Sequence, residues 1–85
     1  MKSFDYVITD EIGIHARPAG QLAKEAKQFQ STIKISIDGK EADAGKLMAV
    51  MGLGVKKGNT VTITAEGEDE EKAIEAIEKF MKENL

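Results

Sequence analysis

The sequence predicts an α+β fold, an open-faced two-layer sandwich with a four-stranded antiparallel sheet covered on one face by three helices. Three observations lead there. Four segments alternate apolar and polar residues with a period of two, and three others repeat apolar residues at helical spacing. The two kinds interleave as β-α-β-β-α-β-α. Each strand has one apolar face, which suits an antiparallel sheet with helices on that face and water on the other. At 85 residues the chain is read as one domain, 1–85.

In the first strand Phe4, Tyr6 and Ile8 alternate with Asp5, Val7 and Thr9. A helix is expected from about Ala16, because Pro18 is tolerated only in a first turn. Ala19, Leu22, Ala23, Ala26 and Phe29 form its apolar face. Thr32 to Ile37 alternates most cleanly, with Ile33, Ile35 and Ile37 on one side and Lys34 and Ser36 on the other. Asp38-Gly39 follows and suits a type I′ turn, whose two central residues both need positive φ. Lys40 to Asp43 is then the short return strand.

An apolar stretch around Leu47 to Leu53, bracketed by Gly45, Gly52 and Gly54, reads as a short helix. Beyond the Lys56-Lys57-Gly58-Asn59 turn, Thr60 to Glu66 is the fourth strand, with Val61, Ile63 and Ala65 inward and three threonines outward. The last helix opens on an acidic turn, Glu68 to Glu71, and carries Lys79 and Lys82 late, matching the helix dipole at both ends. Ala73, Ile74, Ile77, Phe80 and Met81 make its buried stripe. Glu75 with Lys79 and Glu78 with Lys82 are i,i+4 pairs in the favourable order. Lys34, Ser36, Thr62 and Thr64 are expected on the wet face of the sheet.

Composition excludes several classes of function. There is no cysteine, hence no disulfide and no thiolate metal site, which suits a reducing, cytoplasmic location. The N-terminal segment has no apolar core of the signal-peptide kind, and no apolar run approaches the roughly 20 residues that span a bilayer. A soluble protein without direct membrane insertion is expected. The net charge of −3 is uneven: residues 68–85 hold seven acidic and three basic side chains, residues 1–67 eight and nine. With no sustained basic stripe and four aromatic residues, nucleic acid is not expected as a partner.

The chemistry concentrates in Gly13-Ile14-His15-Ala16-Arg17-Pro18-Ala19-Gly20. His15 is the one histidine of the chain and stands at the start of the first helix, two residues before Arg17. A helix head presents unpaired N–H groups and partial positive charge, so the N–H groups at Ala16 and Arg17 make an anion cradle. Arg17 adds a cation whose fork matches phosphate oxygens. Imidazole titrates near neutrality and acts as a nucleophile when neutral. The residues by themselves leave two readings open: a phosphoryl-accepting histidine, or an exposed histidine without chemistry. One histidine and no cysteine argue against a metal site, and no nucleophile elbow supports a hydrolase.

Gly13-Ile14-His15-Ala16-Arg17-Pro18-Ala19 resembles the active-site signature of the HPr family of histidine-containing phosphocarriers. Lys46-Leu47-Met48-Ala49-Val50-Met51-Gly52-Leu53-Gly54 is similar to that family's second characteristic segment. Length, element order and acidic last helix agree, so the resemblance covers essentially the whole chain. It implies the open-faced β-sandwich, and a monomeric carrier without cofactor or metal rather than an enzyme. His15 would take a phosphoryl group on Nδ1 from enzyme I, which is charged by phosphoenolpyruvate. It would pass the group to IIA domains of sugar permeases, with Arg17 helping to hold and release it.

The partner surface would comprise Gly20, Gln21, Lys24 and Lys27 on the exposed side of the first helix, Lys46 beside them, and an apolar patch of Leu47, Met48 and Met51. Without the resemblance, those last three read as core. The lysines suggest acidic partners. At Lys46 the sequence departs from many Gram-positive members, which carry a kinase-regulated serine there. Lys46 takes no such phosphate and is a poor N-cap, a role that nearby Asp43 is placed to share. The competing functions are a regulatory paralogue that reports phosphorylation state or serves a dihydroxyacetone kinase, and a small binding module with an inert His15.

Overall fold

The computed structural model describes residues 1–14 and 16–85. His15 lies outside the described residues. The elements are β1 (Lys2–Val7), α1 (Ala16–Ala26), β2 (Thr32–Ile37), β3 (Lys40–Asp43), α2 (Leu47–Met51), β4 (Thr60–Glu66) and α3 (Glu70–Asn84). The strands form one antiparallel sheet in the order β1-β4-β2-β3. The α+β open-faced sandwich read from the sequence is therefore the observed architecture.

Register explains why one face is dry. Phe4 pairs with Ile63, Ile35 with both Ile63 and Ala42, and Ile33 with Ala65, so the apolar positions share one side, with Val7 at the end of β1 the exposed exception. Ile33, Ile35, Val61, Ile63 and Ala65 from the sheet meet Ala19, Leu22, Ala26, Ala73, Ile77 and Met81 from α1 and α3 in a single buried cluster. Asp38 (φ 48°) and Gly39 (φ 81°) both take positive φ, as the type I′ turn requires. On the opposite face Thr62 donates to Asp5 Oδ1 (2.7 Å) and Lys34 Nζ lies 3.3 Å from Glu41.

Several local expectations are corrected. α1 ends at Ala26, so Lys27 and Phe29 fall in the turn beyond it; Phe29 still packs on the core. α2 stops at Met51, two residues early, because Gly52 and Leu53 continue as a turn. Glu75–Lys79 and Glu78–Lys82 are not among the ion pairs of the described residues, which is the usual outcome for long exposed side chains.

Glu70 and Glu71 stand in the first turn of α3 as expected, whereas Glu68 lies ahead of the helix and Asp69 takes another role. The helix begins at Glu70, and Asp69 turns its carboxylate away to the α1–β2 connection. Asp69 accepts the Gln30 N–H at 2.9 Å, the Ser31 N–H at 2.9 Å and the buried Ser31 hydroxyl. The Ser31 hydroxyl bond, followed by the Gln30 N–H, holds the Asp69 carboxyl below its ordinary pKa. Gly67 closes against the same point: a Cβ there would lie 2.7 Å from Ser31 Cα. This clamp ties the start of α3 to the turn that follows α1.

Candidate functional site

Residues 8–14 deliver the chain to position 15, and each step of that delivery is anchored. Ile8 exchanges hydrogen bonds with the 58–59 turn, its N–H donating to Asn59 O and its carbonyl accepting from Gly58, both at 2.9 Å. Thr9 and Asp10 donate their N–H groups to the Leu85 carbonyl at 2.6 and 3.0 Å, and the Thr9 hydroxyl donates to it at 2.7 Å. Asp10 then closes a tight turn: its carbonyl accepts the Gly13 N–H (3.0 Å) and its carboxylate the Ile12 N–H (2.9 Å).

Gly13 sits at φ 82°, and a Cβ there would lie 2.6 Å from Lys56 Cα, so glycine is needed for both conformation and space. Ile14 is buried and donates its N–H to Val55 O at 3.1 Å. Position 15 thus lies between a residue pinned to the 55–59 segment and Ala16, the first residue of α1.

Ala16 and Arg17 are exposed in the first turn of α1, and no acidic residue stands in that turn to repel an anion. Pro18, third in the helix and buried, lacks an N–H, so it wastes no donor where helix donors have no partner. A shallow hollow of about 190 Å³ lies beside Arg17, lined by Asp10, Pro18, Gln21, Glu83 and Asn84. The C-terminal turn of α3 therefore lies against the head of α1, an adjacency the sequence did not signal. Among the described residues no group of three or more metal-ligating side chains is assembled.

The other expected site residues divide as follows. Gln21 and Lys24 are exposed along α1, Gly20 is half-buried, and Lys27 is exposed just past the helix end. Lys46 is exposed at the N-cap of α2 and its side chain makes no capping bond. Asp43 does not replace it there: its carboxylate accepts the Gly45 N–H at 2.8 Å, one residue before the cap. Leu47, Met48 and Met51 are exposed, Met48 by 75%, while Val50 alone of α2 is buried. The core reading of these three fails for a simple reason. A helix of five residues has room for one inward position, and Val50 takes it. α2 packs beside α1, so lysines and apolar side chains share one surface.

An exposed arginine at the head of α1 and a neighbouring exposed apolar patch on α2 are the features of a surface suited to meeting other proteins. The family model for the HPr component phosphorylation site of the phosphotransferase system matches residues 2–83. The phosphocarrier protein HPr of Mycoplasma capricolum is 44% identical over 81 residues, covering 95% of this chain and 91% of that protein. A solved Mycoplasma histidine-containing phosphocarrier superposes with a TM-score of 0.94 at 43% identity, over 96% of this chain and 93% of that one. An HPr dimer from Thermoanaerobacter tengcongensis gives 0.78 at 40% identity, over 98% and 95%. The chain belongs to the HPr family, the phosphocarriers of the phosphotransferase system.

Proposed function

We propose that His15 accepts a phosphoryl group from phosphorylated enzyme I and donates it to IIA domains of sugar permeases. The protein would act in the cytoplasm as a monomeric carrier, consumed and regenerated rather than catalytic. The observation that carries this reading is the head of α1: Ala16 and Arg17 exposed, free of acidic neighbours in the first turn, immediately after His15.

In each transfer one N–P bond forms as another breaks. A His15 ring nitrogen, Nδ1 in the family, attacks the phosphorus of the donor's phosphohistidine while the donor nitrogen leaves. The new phosphoryl dianion meets the helix N–H groups and the Arg17 guanidinium. A helix terminus contributes about 0.3–1 kcal/mol to an exposed anion, and an exposed ion pair about 0.2–1 kcal/mol. These magnitudes hold the group without trapping it, as release to the next protein requires. Lys24, Lys27 and Lys46 would steer acidic partners, Gly20 and Gln21 would lie within the same contact surface, and Leu47, Met48 and Met51 would supply apolar contact that adapts to more than one partner.

Control by serine phosphorylation at position 46 is absent in this reading, since Lys46 offers no hydroxyl. The test is intact mass after incubation with phosphoenolpyruvate and enzyme I. The wild type should gain one acid-labile phosphoryl group and His15→Ala none. With an HPr kinase and ATP instead, no serine phosphate should form. A phosphorylated His15→Ala protein would move the acceptor elsewhere, and a serine phosphate near Lys46 would restore the kinase route.

A further inference from the structure

The chain has four methionines and no cysteine, so its sulfur atoms are all thioethers and no thiol is present to consume an oxidant first. The fold divides the four sharply. Met81 of α3 is fully buried, whereas Met48 of α2 exposes 75% of its surface and Met51 36%. Met1 is as open as Met48, but its ammonium pairs with Glu70 at the start of α3. Arg17 lies against Glu83 and Asn84 at the other end of that helix, about 22 Å away along its axis. Two of the three exposed thioethers therefore sit together on α2, beside α1, and the third is far from the head of α1.

Peroxides oxidise an accessible thioether. The sulfur lone pair attacks one oxygen of hydrogen peroxide, the S–O bond forms as the O–O bond breaks, and the other oxygen leaves as water after taking up the proton of the first. Sulfur is oxidised, peroxide oxygen is reduced, and a flexible apolar side chain becomes a polar one. On α2 such a change alters the surface and nothing beneath it. Val50 alone of that helix is buried, and neither Met48 nor Met51 belongs to the core cluster.

We propose that Met48 and Met51 form a reversible oxidation site: a peroxide converts them to sulfoxides, the patch turns polar and phosphoryl exchange slows, and a methionine sulfoxide reductase restores it. This rests on the transfer reading above and adds to it an oxidant-controlled state. A partner shaped to cover apolar side chains would bury the new S=O oxygens without hydrogen bonds, which opposes docking while leaving the fold intact.

The experiment treats the full chain with dilute hydrogen peroxide, maps sulfoxides by peptide mass and measures transfer from phosphorylated enzyme I before and after. Met48 should be modified ahead of Met51, and Met81 should be spared. The kcat/KM should fall roughly tenfold, as burial of unpaired polar groups predicts. The melting temperature should move by less than about 3 °C, and reductase treatment should recover transfer. A Met48→Leu/Met51→Leu double variant keeps Met1, so after treatment it should hold its own untreated kcat/KM. Sulfoxides at both α2 positions with unchanged transfer overturn the inference, as does an equal loss in the double variant. So do Met81 reacting as fast as Met48 and a loss that the reductase does not reverse. In those cases the transfer reading survives on the untreated wild type; an untreated wild type that accepts no phosphoryl group overturns both.

Discussion

The two ends of the α1–α3 pair are built on opposite terms. At one end Asp69, Ser31, Gln30 and Gly67 form a clamp in which the carboxylate accepts three hydrogen bonds and a glycine leaves room for the contact. At the other end α1 offers an exposed arginine in its first turn, and next to it α2 displays three apolar side chains from a five-residue helix with no side-chain N-cap bond. The first end gathers polar groups that bond one another, while the second leaves a charged side chain and three apolar ones exposed. The difference teaches where this fold places stability and where it places recognition. The clamp joins the start of α3 to the turn after α1, at the end of the pair away from Arg17.

The sharpest way to break the comparison is at Gly67. Alanine there puts a Cβ against Ser31 Cα, and overpacking of this kind costs about 2–3 kcal/mol. For a chain of this size the melting temperature should fall by roughly 10 °C or more. Phosphoryl transfer measured well below that temperature should change little. A large loss of transfer with intact stability would mean that the clamp serves the site directly.

A smaller effect, with a definite sign, is expected at Asp69. Its folded pKa lies below the ordinary value of 3.8, so the folded state favours the ionised carboxylate. The resulting stability is fully present above the unfolded pKa and is lost as pH falls through the depressed folded one. Melting curves between about pH 2 and 6 should therefore show a steeper acid-side loss in the wild type than in Asp69→Asn, where Glu70, held below its ordinary value by the N-terminal ammonium, still contributes. Equal acid slopes in the two proteins would remove Asp69 from the account.

Much of this was legible in the sequence, and the parts that were not share a physical cause. The strands and helices follow from periodicity, because a half-buried element has to repeat its apolar residues at its own pitch. Asp38-Gly39 was legible because few dipeptides accept positive φ twice in succession. The Asp69 clamp was hidden: an acid ahead of a helix reads as a dipole partner, and only the approach of Ser31, 38 residues away, gives it another role. Around position 15 the motif supplied the residue types, while the setting of Glu83 and Asn84 beside Arg17 depends on how α3 ends against α1.

The apolar patch on α2 is where the two readings of the sequence diverge most, core against docking surface, and Met48 decides between them. Its alanine variant, compared with wild type for both melting temperature and transfer from phosphorylated enzyme I, tests the division of labour most directly. If the patch is a docking surface, the melting temperature moves by less than about 3 °C while kcat/KM falls roughly tenfold. A variant that melts far lower, or one that accepts the phosphoryl group as efficiently as wild type, would contradict the account.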